Sequence, residues 1–250
     1  MAQDNLNLKQ GDAPPLKVQQ REIGTTGLSI TTTGEVTEEA KRELRFPASI
    51  KTYKQMYNDP IIKAGLTLVQ MMISKVEWYV LDPENASEED KKKAEFIRQC
   101  MSDMEHSWED FINEILSFLV YGFAPFEKVY RKRNSRNGSK YNDNLIGWRK
   151  IAIRSQDTIH KWKWSDDGRK LEGVYQDLSK VDNSTGRVDF YHKNKDKKVD
   201  GLFIPKKKLL LFRVEPKRDN PLGHSPLNAC YVPYKIRTVL EEQESIGITR

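Results

Sequence analysis

The chain has 250 residues, of which 37% are hydrophobic, and carries a formal net charge of +6. This length is long for one domain and sufficient for two, and the hydrophobic fraction excludes a mainly disordered protein. No run of about 18 apolar residues predicts a membrane span, and the N-terminus lacks a signal-peptide pattern. Two cysteines, Cys100 and Cys230, exclude a disulfide framework and fit a reducing compartment.

Charge is distributed unequally between the two halves of the chain. Residues 1–125 contain 14 Lys and Arg against 20 Asp and Glu, a net charge of −6, whereas residues 126–250 contain 28 against 16, a net charge of +12. The basic half indicates either contact with an anionic partner or a solvated, lysine-rich surface.

The N-terminal region has no hydrophobic periodicity. Residues 1–36 are rich in Gln, Thr and Gly, and a segment of this composition cannot form a core of its own. We therefore predict an extended N-terminal arm over residues 1–47 that contacts a partner surface and is dispensable for folding.

Residues 48–125 are predicted to form a helical region with one strand. Asp59 and Pro60 indicate a helix start, because a carboxylate can accept from open N–H groups and proline has none. Alternation over residues 76–80 predicts a strand. Ser87 and Ser107 each predict the N-cap of a further helix, and Gly122 predicts the end of the last one.

Residues 126–214 are predicted to form a β-rich domain, because short alternating segments are separated by turn residues. Turns are expected at residues 137–138, 167–168 and 183–186. Residues 215–250 are predicted to form mainly a long helix that begins at Ser225 and Pro226. The predicted strands are 126–130, 151–153, 159–164, 171–176, 188–191, 202–204 and 208–212.

No catalytic or metal-binding pattern is found in the sequence. The four histidines are scattered without ligand spacing, the two cysteines give no zinc pattern, and no phosphate-binding loop or nucleophile elbow is present. The sequence predicts a protein that is not an enzyme and has no cofactor.

Two basic clusters are candidate contacts for DNA or for an acidic partner protein, with a solvated surface as the alternative. Binding to a phosphate backbone would be independent of sequence and would weaken with salt. Trp148, Trp162 and Trp164 are interleaved with basic residues; we assign them to a core in preference to base stacking. The candidate contacts are Arg131, Lys132, Arg133, Arg136, Lys140, Lys206, Lys207 and Lys208.

Several phrases, taken in order, resemble the portal proteins of tailed bacteriophages, especially the Mu-like type. The resemblance covers about residues 48–250 and rests on the order and spacing of the phrases. They are Tyr57-Asn58-Asp59-Pro60, Val76-Glu77-Trp78-Tyr79-Val80, Leu119-Val120-Tyr121-Gly122-Phe123, Phe126-Glu127-Lys128-Val129-Tyr130, Trp162-Lys163-Trp164, Leu171-Glu172-Gly173-Val174-Tyr175-Gln176, Ile204-Pro205, Lys208-Leu209-Leu210-Leu211-Phe212 and Asp219-Asn220-Pro221-Leu222-Gly223-His224-Ser225-Pro226-Leu227.

The resemblance implies an α+β, portal-like subunit of a ring, typically of twelve copies, around a DNA channel at one capsid vertex. Residues 48–125 would form a helical wing-like region, residues 126–214 a β-rich clip-type domain and residues 215–250 a stem-like helix. The chain is expected to end before the rest of the wing and a crown.

The implied partners are other copies of the chain, double-stranded DNA, terminase, the major capsid protein and a tail adaptor or connector. No membrane is involved. The expected location is the virion, with the host cytoplasm during assembly.

Two further expectations concern the apolar surface of the subunit and an alternative function. The apolar phrase Phe123-Ala124-Pro125-Phe126 is predicted to be exposed in one subunit and covered by a neighbour. The alternative function is a monomeric or dimeric, non-enzymatic nucleic-acid-binding protein that uses the basic β-rich half.

Overall fold

The computed structural model describes residues 24–31, 33–177 and 201–248. Six helices and six strands are described, and the mixed architecture with two small sheets is consistent with the predicted α+β class. The predicted strand at 188–191 and the turn at 183–186 lie outside the described residues. The helices are α1 (Ala48–Tyr57), α2 (Pro60–Ser74), α3 (Glu88–Ser102), α4 (Trp108–Ile115), α5 (Phe118–Tyr121) and α6 (Leu227–Ile248). The strands are β1 (Phe123–Lys132), β2 (Ile146–Ile153), β3 (Ile159–Trp164), β4 (Leu171–Gln176), β5 (Leu202–Pro205) and β6 (Leu209–Arg213).

The predicted helix boundaries are confirmed where a capping side chain sets them. The Asp59 carboxylate accepts from the N–H groups of Ile61 at 3.0 Å and Ile62 at 3.2 Å. Ser87 and Ser107 cap α3 and α4 in the same way, each accepting from the N–H three residues later. These caps satisfy N–H groups that have no partner within the helix.

Gly122 ends the helical half of the described chain in a left-handed conformation, with a φ of 87°. A Cβ at this position would lie 2.8 Å from the carbonyl oxygen of Leu222. Only glycine fits both requirements, so the sequence correctly located the passage from α5 into β1.

The strands form two antiparallel sheets in the orders β2-β1-β6 and β3-β4-β5. The predicted turn at Asp167-Gly168 joins β3 to β4, and Gly168 adopts a positive φ of 70°. Residues 206–208 carry the chain from β5 in one sheet to β6 in the other. The two sheets are therefore connected twice, by residues 154–158 between β2 and β3 and by the turn between β5 and β6.

The expected strand at residues 76–80 is wrong. This segment follows α2 without helix or strand assignment, and Val76, Trp78 and Tyr79 are exposed. Alternation makes a segment suitable for a sheet, but a strand also needs a neighbour that supplies hydrogen bonds.

The interior consists of three apolar clusters that link the helices to the sheets. The first joins α1 to both sheets, the second packs α4 against β1 and β2, and the third joins α1, α5 and α6. Trp162, assigned from the sequence to a core, is 1% exposed. Members of the three clusters are Phe46, Ile50, Phe123, Ile159, Trp162, Val174, Ile204 and Leu209; Met104, Phe111, Ile112, Ile115, Ala124, Phe126 and Ile151; and Leu44, Tyr53, Met56, Val120, Leu227 and Tyr231.

The region before α1 contributes to this interior, in contrast to the expectation of an arm without core contacts. Val36, Leu44 and Phe46 are buried, and the ring of Phe46 packs edge-on against Phe123 at a centroid distance of 5.9 Å. The average composition of this region did not reveal these contacts, because a few buried apolar side chains are enough to pack a mainly polar segment against the core.

The prediction that Phe123-Ala124-Pro125-Phe126 is exposed is also wrong. All four residues are buried at the start of β1, because this strand lies in the middle of its sheet. The phrase contributes Phe123 to the first cluster and Ala124 and Phe126 to the second. Its apolar character reflects the interior of the subunit.

Candidate functional site

The two basic clusters divide into buried and exposed members. Arg133 is 0% exposed, and its Nη2 atom lies 2.7 Å from Gln99 Oε1 and 2.9 Å from Asp143 Oδ2. Its guanidinium also lies over the rings of Tyr141 and Phe96, at 4.2 and 4.9 Å from the centroids. A guanidinium held in this way stabilises the subunit and presents no donor to DNA.

Arg131 is the second buried member. Its side chain is 7% exposed and pairs with Asp103, with 3.2 Å between Nη2 and Oδ2. It also donates to the carbonyl oxygens of Asp103 and Asn137. We therefore remove Arg131 and Arg133 from the surface proposed to contact DNA, because both are committed to the interior.

Asp103 organises the junction between the end of α3 and the loop that joins β1 to β2. It accepts from the backbone N–H of Lys140 and from the hydroxyl of Ser139, each at 2.7 Å, and pairs with Arg131. Burial by itself raises the pKa of this carboxyl, but these hydrogen bonds and the arginine outweigh burial and hold the pKa below its usual range. The carboxylate stays ionised at neutral pH.

The remaining candidates in the first cluster, Lys132, Arg136 and Lys140, are exposed. Lys132 ends β1, and Arg136 lies in the 3-10 turn over residues 135–137. The ammonium of Lys140 donates to the carbonyl oxygen of Ser102, so part of its hydrogen-bonding capacity is used within the subunit.

The second cluster, Lys206, Lys207 and Lys208, lies on the turn between β5 and β6, and all three residues are exposed. The backbone N–H of Lys206 donates to the Glu172 carbonyl oxygen at 2.7 Å, and the Lys208 carbonyl accepts from Lys128 N at 2.8 Å. The backbone is thus fixed to both sheets while the lysine side chains face solvent. Lys132 lies about 13 Å further along β1 than Lys128, so the two clusters are separate.

The surface of α2 is the first apolar feature that the sequence did not identify as a site. None of its 15 residues is buried, although Ile61, Leu68, Val69, Met71 and Met72 lie on it. Met72 is 74% exposed. A helix that is apolar on most sides is ordinarily enclosed, so this surface indicates an interaction site.

A groove next to the end of α2 extends this apolar surface. It has a volume of about 700 Å³ and is lined by residues 74–79 on one side and by Trp108, Ile112 and Asn113 of α4 on the other. Ser74 bridges the two sides through its hydroxyl, 3.0 Å from Asn113 Oδ1. The segment predicted as a strand therefore forms one wall of an open groove.

The second apolar surface lies on α6. Leu227 and Tyr231 anchor the beginning of the helix in the third cluster, whereas every residue from 239 to 248 is exposed. Ile236, Leu240 and Ile246 are among the exposed apolar side chains. The second half of α6 therefore extends away from the core of the subunit.

An ion pair between Arg237 and Asp59 connects the two surfaces within one subunit. Asp59 is almost fully buried and also caps α2, so one carboxylate sets both the start of α2 and the position of α6. The sequence indicated the cap through Asp59-Pro60, but no local pattern indicated the arginine 178 positions later.

The described residues contain neither a candidate metal site nor a candidate membrane helix. Within residues 24–31, 33–177 and 201–248, no three His, Cys, Asp or Glu side chains are grouped so that they could hold a metal ion. In the same part of the chain, no helix combines the length and apolar character that crossing a membrane requires. The exposed apolar surfaces of α2 and α6 and the lysine turn at residues 206–208 are therefore the candidate interaction sites.

Comparison with known proteins supplies the context for these surfaces. Among curated proteins, none matches the sequence. A model of the family described as the portal protein of Mu bacteriophage matches residues 50–239. The matched range begins within α1 and ends within α6. The match covers more than half of the chain, confirms the resemblance identified in the sequence and does not favour the alternative of a simple nucleic-acid-binding protein. This chain belongs to the Mu bacteriophage portal protein family.

Proposed function

We propose that the protein is a non-enzymatic subunit of a ring at one vertex of a phage capsid. The ring is the channel through which DNA enters during packaging and leaves during ejection. The observation that carries this proposal is α2: in a member of a portal family, a 15-residue apolar helix has no buried residue in the single subunit. Neighbouring subunits would supply the missing contacts.

A ring requires heterologous contacts, in which one surface of a subunit meets a different surface of the next. The exposed faces of α2 and α6 are two such surfaces on one chain. We propose twelve copies, with residues 48–125 as the wing-like region, residues 126–214 as the clip-type domain and residues 215–250 as the stem-like helix.

The proposed partners follow from the position at the vertex. Terminase docks on the ring during packaging, the major capsid protein surrounds it, and a tail adaptor or connector binds it later. The sequence contains no phosphate-binding loop, so the packaging ATPase is a separate protein. Assembly takes place in the host cytoplasm, and the product is part of the virion.

DNA or adaptor contact is assigned to the exposed basic residues. Lysines on a turn with a fixed backbone suit weak, sequence-independent contact with phosphates or with an acidic protein surface. A channel that bound DNA tightly would stop its movement, so weak contact fits the role. The assigned residues are Lys132, Arg136, Lys140, Lys206, Lys207 and Lys208.

The first experiment measures assembly. Light scattering and negative-stain electron microscopy of the full chain should give a particle many times the 29.1 kDa subunit mass, with a central hole. A particle of one or two subunits at every concentration would refute the ring and support the alternative of a small nucleic-acid-binding protein.

The second experiment tests the lysine turn with a matched control. Replacing Lys206, Lys207 and Lys208 by Gln should weaken binding of DNA or adaptor most at low salt, where screening is least. The same replacement of the exposed triplet at residues 91–93 on α3 removes equal charge from the acidic half and should have little effect. If both triple replacements weaken binding equally, the position of the lysines at residues 206–208 does not matter, and the assignment of the contact to this turn is wrong.

A further inference from the structure

The exposed apolar side chains of α2 form a regular stripe. Ile61, Gly65, Leu68 and Met72 follow at intervals of four, three and four residues, and the three apolar side chains are each at least 65% exposed. This spacing is that of the a and d positions in a helix that packs along another helix. A Cβ at Gly65 would contact nothing within 4 Å, so the backbone there is open to close approach.

The exposed side chains of α6 form a second stripe of the same kind. Val232, Ile236, Val239 and Ile246 follow at intervals of four, three and seven residues, and Leu240 lies beside them. The α2 stripe spans about 17 Å and the α6 stripe about 21 Å at 1.5 Å per residue. The two stripes therefore share the four-three spacing at their beginnings and are similar in length, with Gln243 between Val239 and Ile246 on α6.

The charges beside the two stripes are complementary. Lys63 is the charged residue within α2, and Lys75 follows at its C-terminal end. The second half of α6 carries Glu242 and Glu244, and also Glu241, which pairs with Arg237 of the same helix at 3.2 Å. Opposite charges beside an apolar seam favour pairing of unlike helices over pairing of two copies of α6, whose glutamates would repel each other.

The two stripes do not cover each other within one subunit. Arg237 holds the middle of α6 beside Asp59 at the start of α2, and the apolar side chains of both stripes nevertheless remain exposed. A second copy of the chain supplies the missing helix to each.

We propose that the α6 stripe of one subunit packs along the α2 stripe of the next subunit as a two-helix seam. The inference rests on the proposed ring and specifies which surfaces meet in it. The contact is heterologous, so each subunit donates α6 to one neighbour and accepts α6 from the other.

Two charged substitutions test the seam. Met72→Arg on α2 and Leu240→Arg on α6 change exposed side chains, so each variant should remain folded by circular dichroism. Each should raise the dissociation constant between subunits about 100-fold, because the contact would take a guanidinium out of water and place it among apolar side chains. Ile146→Arg changes an apolar residue at the start of β2 that is 70% exposed, and it should leave assembly unchanged.

Mixing the two variants distinguishes this seam from other contacts. The Met72→Arg subunit retains an intact α6 and the Leu240→Arg subunit an intact α2, so one good contact forms per pair. We therefore expect analytical ultracentrifugation at total concentrations up to about 100 µM to detect heterodimers, because even weak contacts are populated at that concentration. No rings should form. An absence of heterodimers would overturn the seam.

Hydrogen exchange gives an independent readout. In parental rings, amides of residues 61–74 and 239–248 should exchange more slowly than in the Leu240→Arg variant. Rings in which either region stays unprotected, or rings that persist in both arginine variants, would overturn the seam while leaving the ring intact. A parental protein that never forms rings would refute the proposed function itself.

Discussion

Asp103 provides the sharpest test of how the structure is held together. Its side chain is 1% exposed and pairs with Arg131, which is 7% exposed. Asp103→Asn keeps the shape but removes the charge, and the amide can accept at one atom where the carboxylate accepts at two. Arg131 is then left as a buried cation without a countercharge.

The expected cost follows from these contacts. Removing one partner of a buried ion pair costs about 3–5 kcal/mol. Arg131 still donates to two carbonyl oxygens after the substitution, so we expect the lower end, about 3 kcal/mol. For a chain of this size, the melting temperature should fall by about 6–12 °C, at about 2–4 °C per kcal/mol.

The pH dependence has a definite sign. The pKa of Asp103 is lowered in the folded protein, so its contribution to stability is present above the unfolded pKa of about 3.9 and is lost as the pH falls through the folded value. The stability difference between the parent and Asp103→Asn should therefore be full at neutral pH and should shrink below about pH 4.

Urea denaturation at fixed subunit concentration, followed by circular dichroism, measures the effect. Asp82→Asn is the control, because Asp82 pairs with Arg98 of α3 at 2.6 Å but is 45% exposed, and surface pairs contribute about 0–1 kcal/mol. Adding Arg131→Met to Asp103→Asn should recover part of the loss. A loss of less than about 1 kcal/mol for Asp103→Asn would refute the assignment of this pair to the interior.

Three further predictions concern the core, the helix end and the lysine turn. Phe46→Ala should cost about 3–5 kcal/mol in chemical denaturation, because Phe46 is buried against Phe123; a change under 1 kcal/mol would show that the region before α1 is peripheral. Gly122→Ala should cost more than the ~1–2 kcal/mol of a left-handed residue, since its Cβ would also meet the Leu222 carbonyl oxygen; an unchanged melting curve would contradict this geometry. Replacing the lysines of residues 206–208 by Gln should leave the melting temperature within about 2 °C, because exposed charges contribute little; a larger fall would show that they pair within the subunit.

The sequence located the ends of elements well, because these depend on neighbours along the chain. Asp59, Ser87 and Ser107 cap helices through hydrogen bonds to residues two or three positions away. Gly122 and Gly168 mark turns that need a positive φ. Such contacts form within one turn of chain, so residue type and spacing are sufficient to predict them.

The same local patterns could not predict burial. Adjacency in sequence groups Arg131 and Arg133 with exposed lysines, yet their partners Asp103 and Gln99 lie 28 and 34 positions away. Phe123 was expected at the surface because it belongs to an apolar phrase; its position in the central strand of a sheet placed it inside.

The sequence by itself determined the α+β class, most helix starts, the turn at Asp167-Gly168 and membership of the portal family. Only the tertiary structure decided that residues 76–80 lack a sheet partner, that two arginines are interior, and that the unpartnered apolar surfaces are on α2 and α6. The physical reason is the range of the interactions. The hydrogen bonds of caps and turns are made by residues nearby in sequence. Burial depends on whether a segment distant in sequence, or a second molecule, packs against the surface in question.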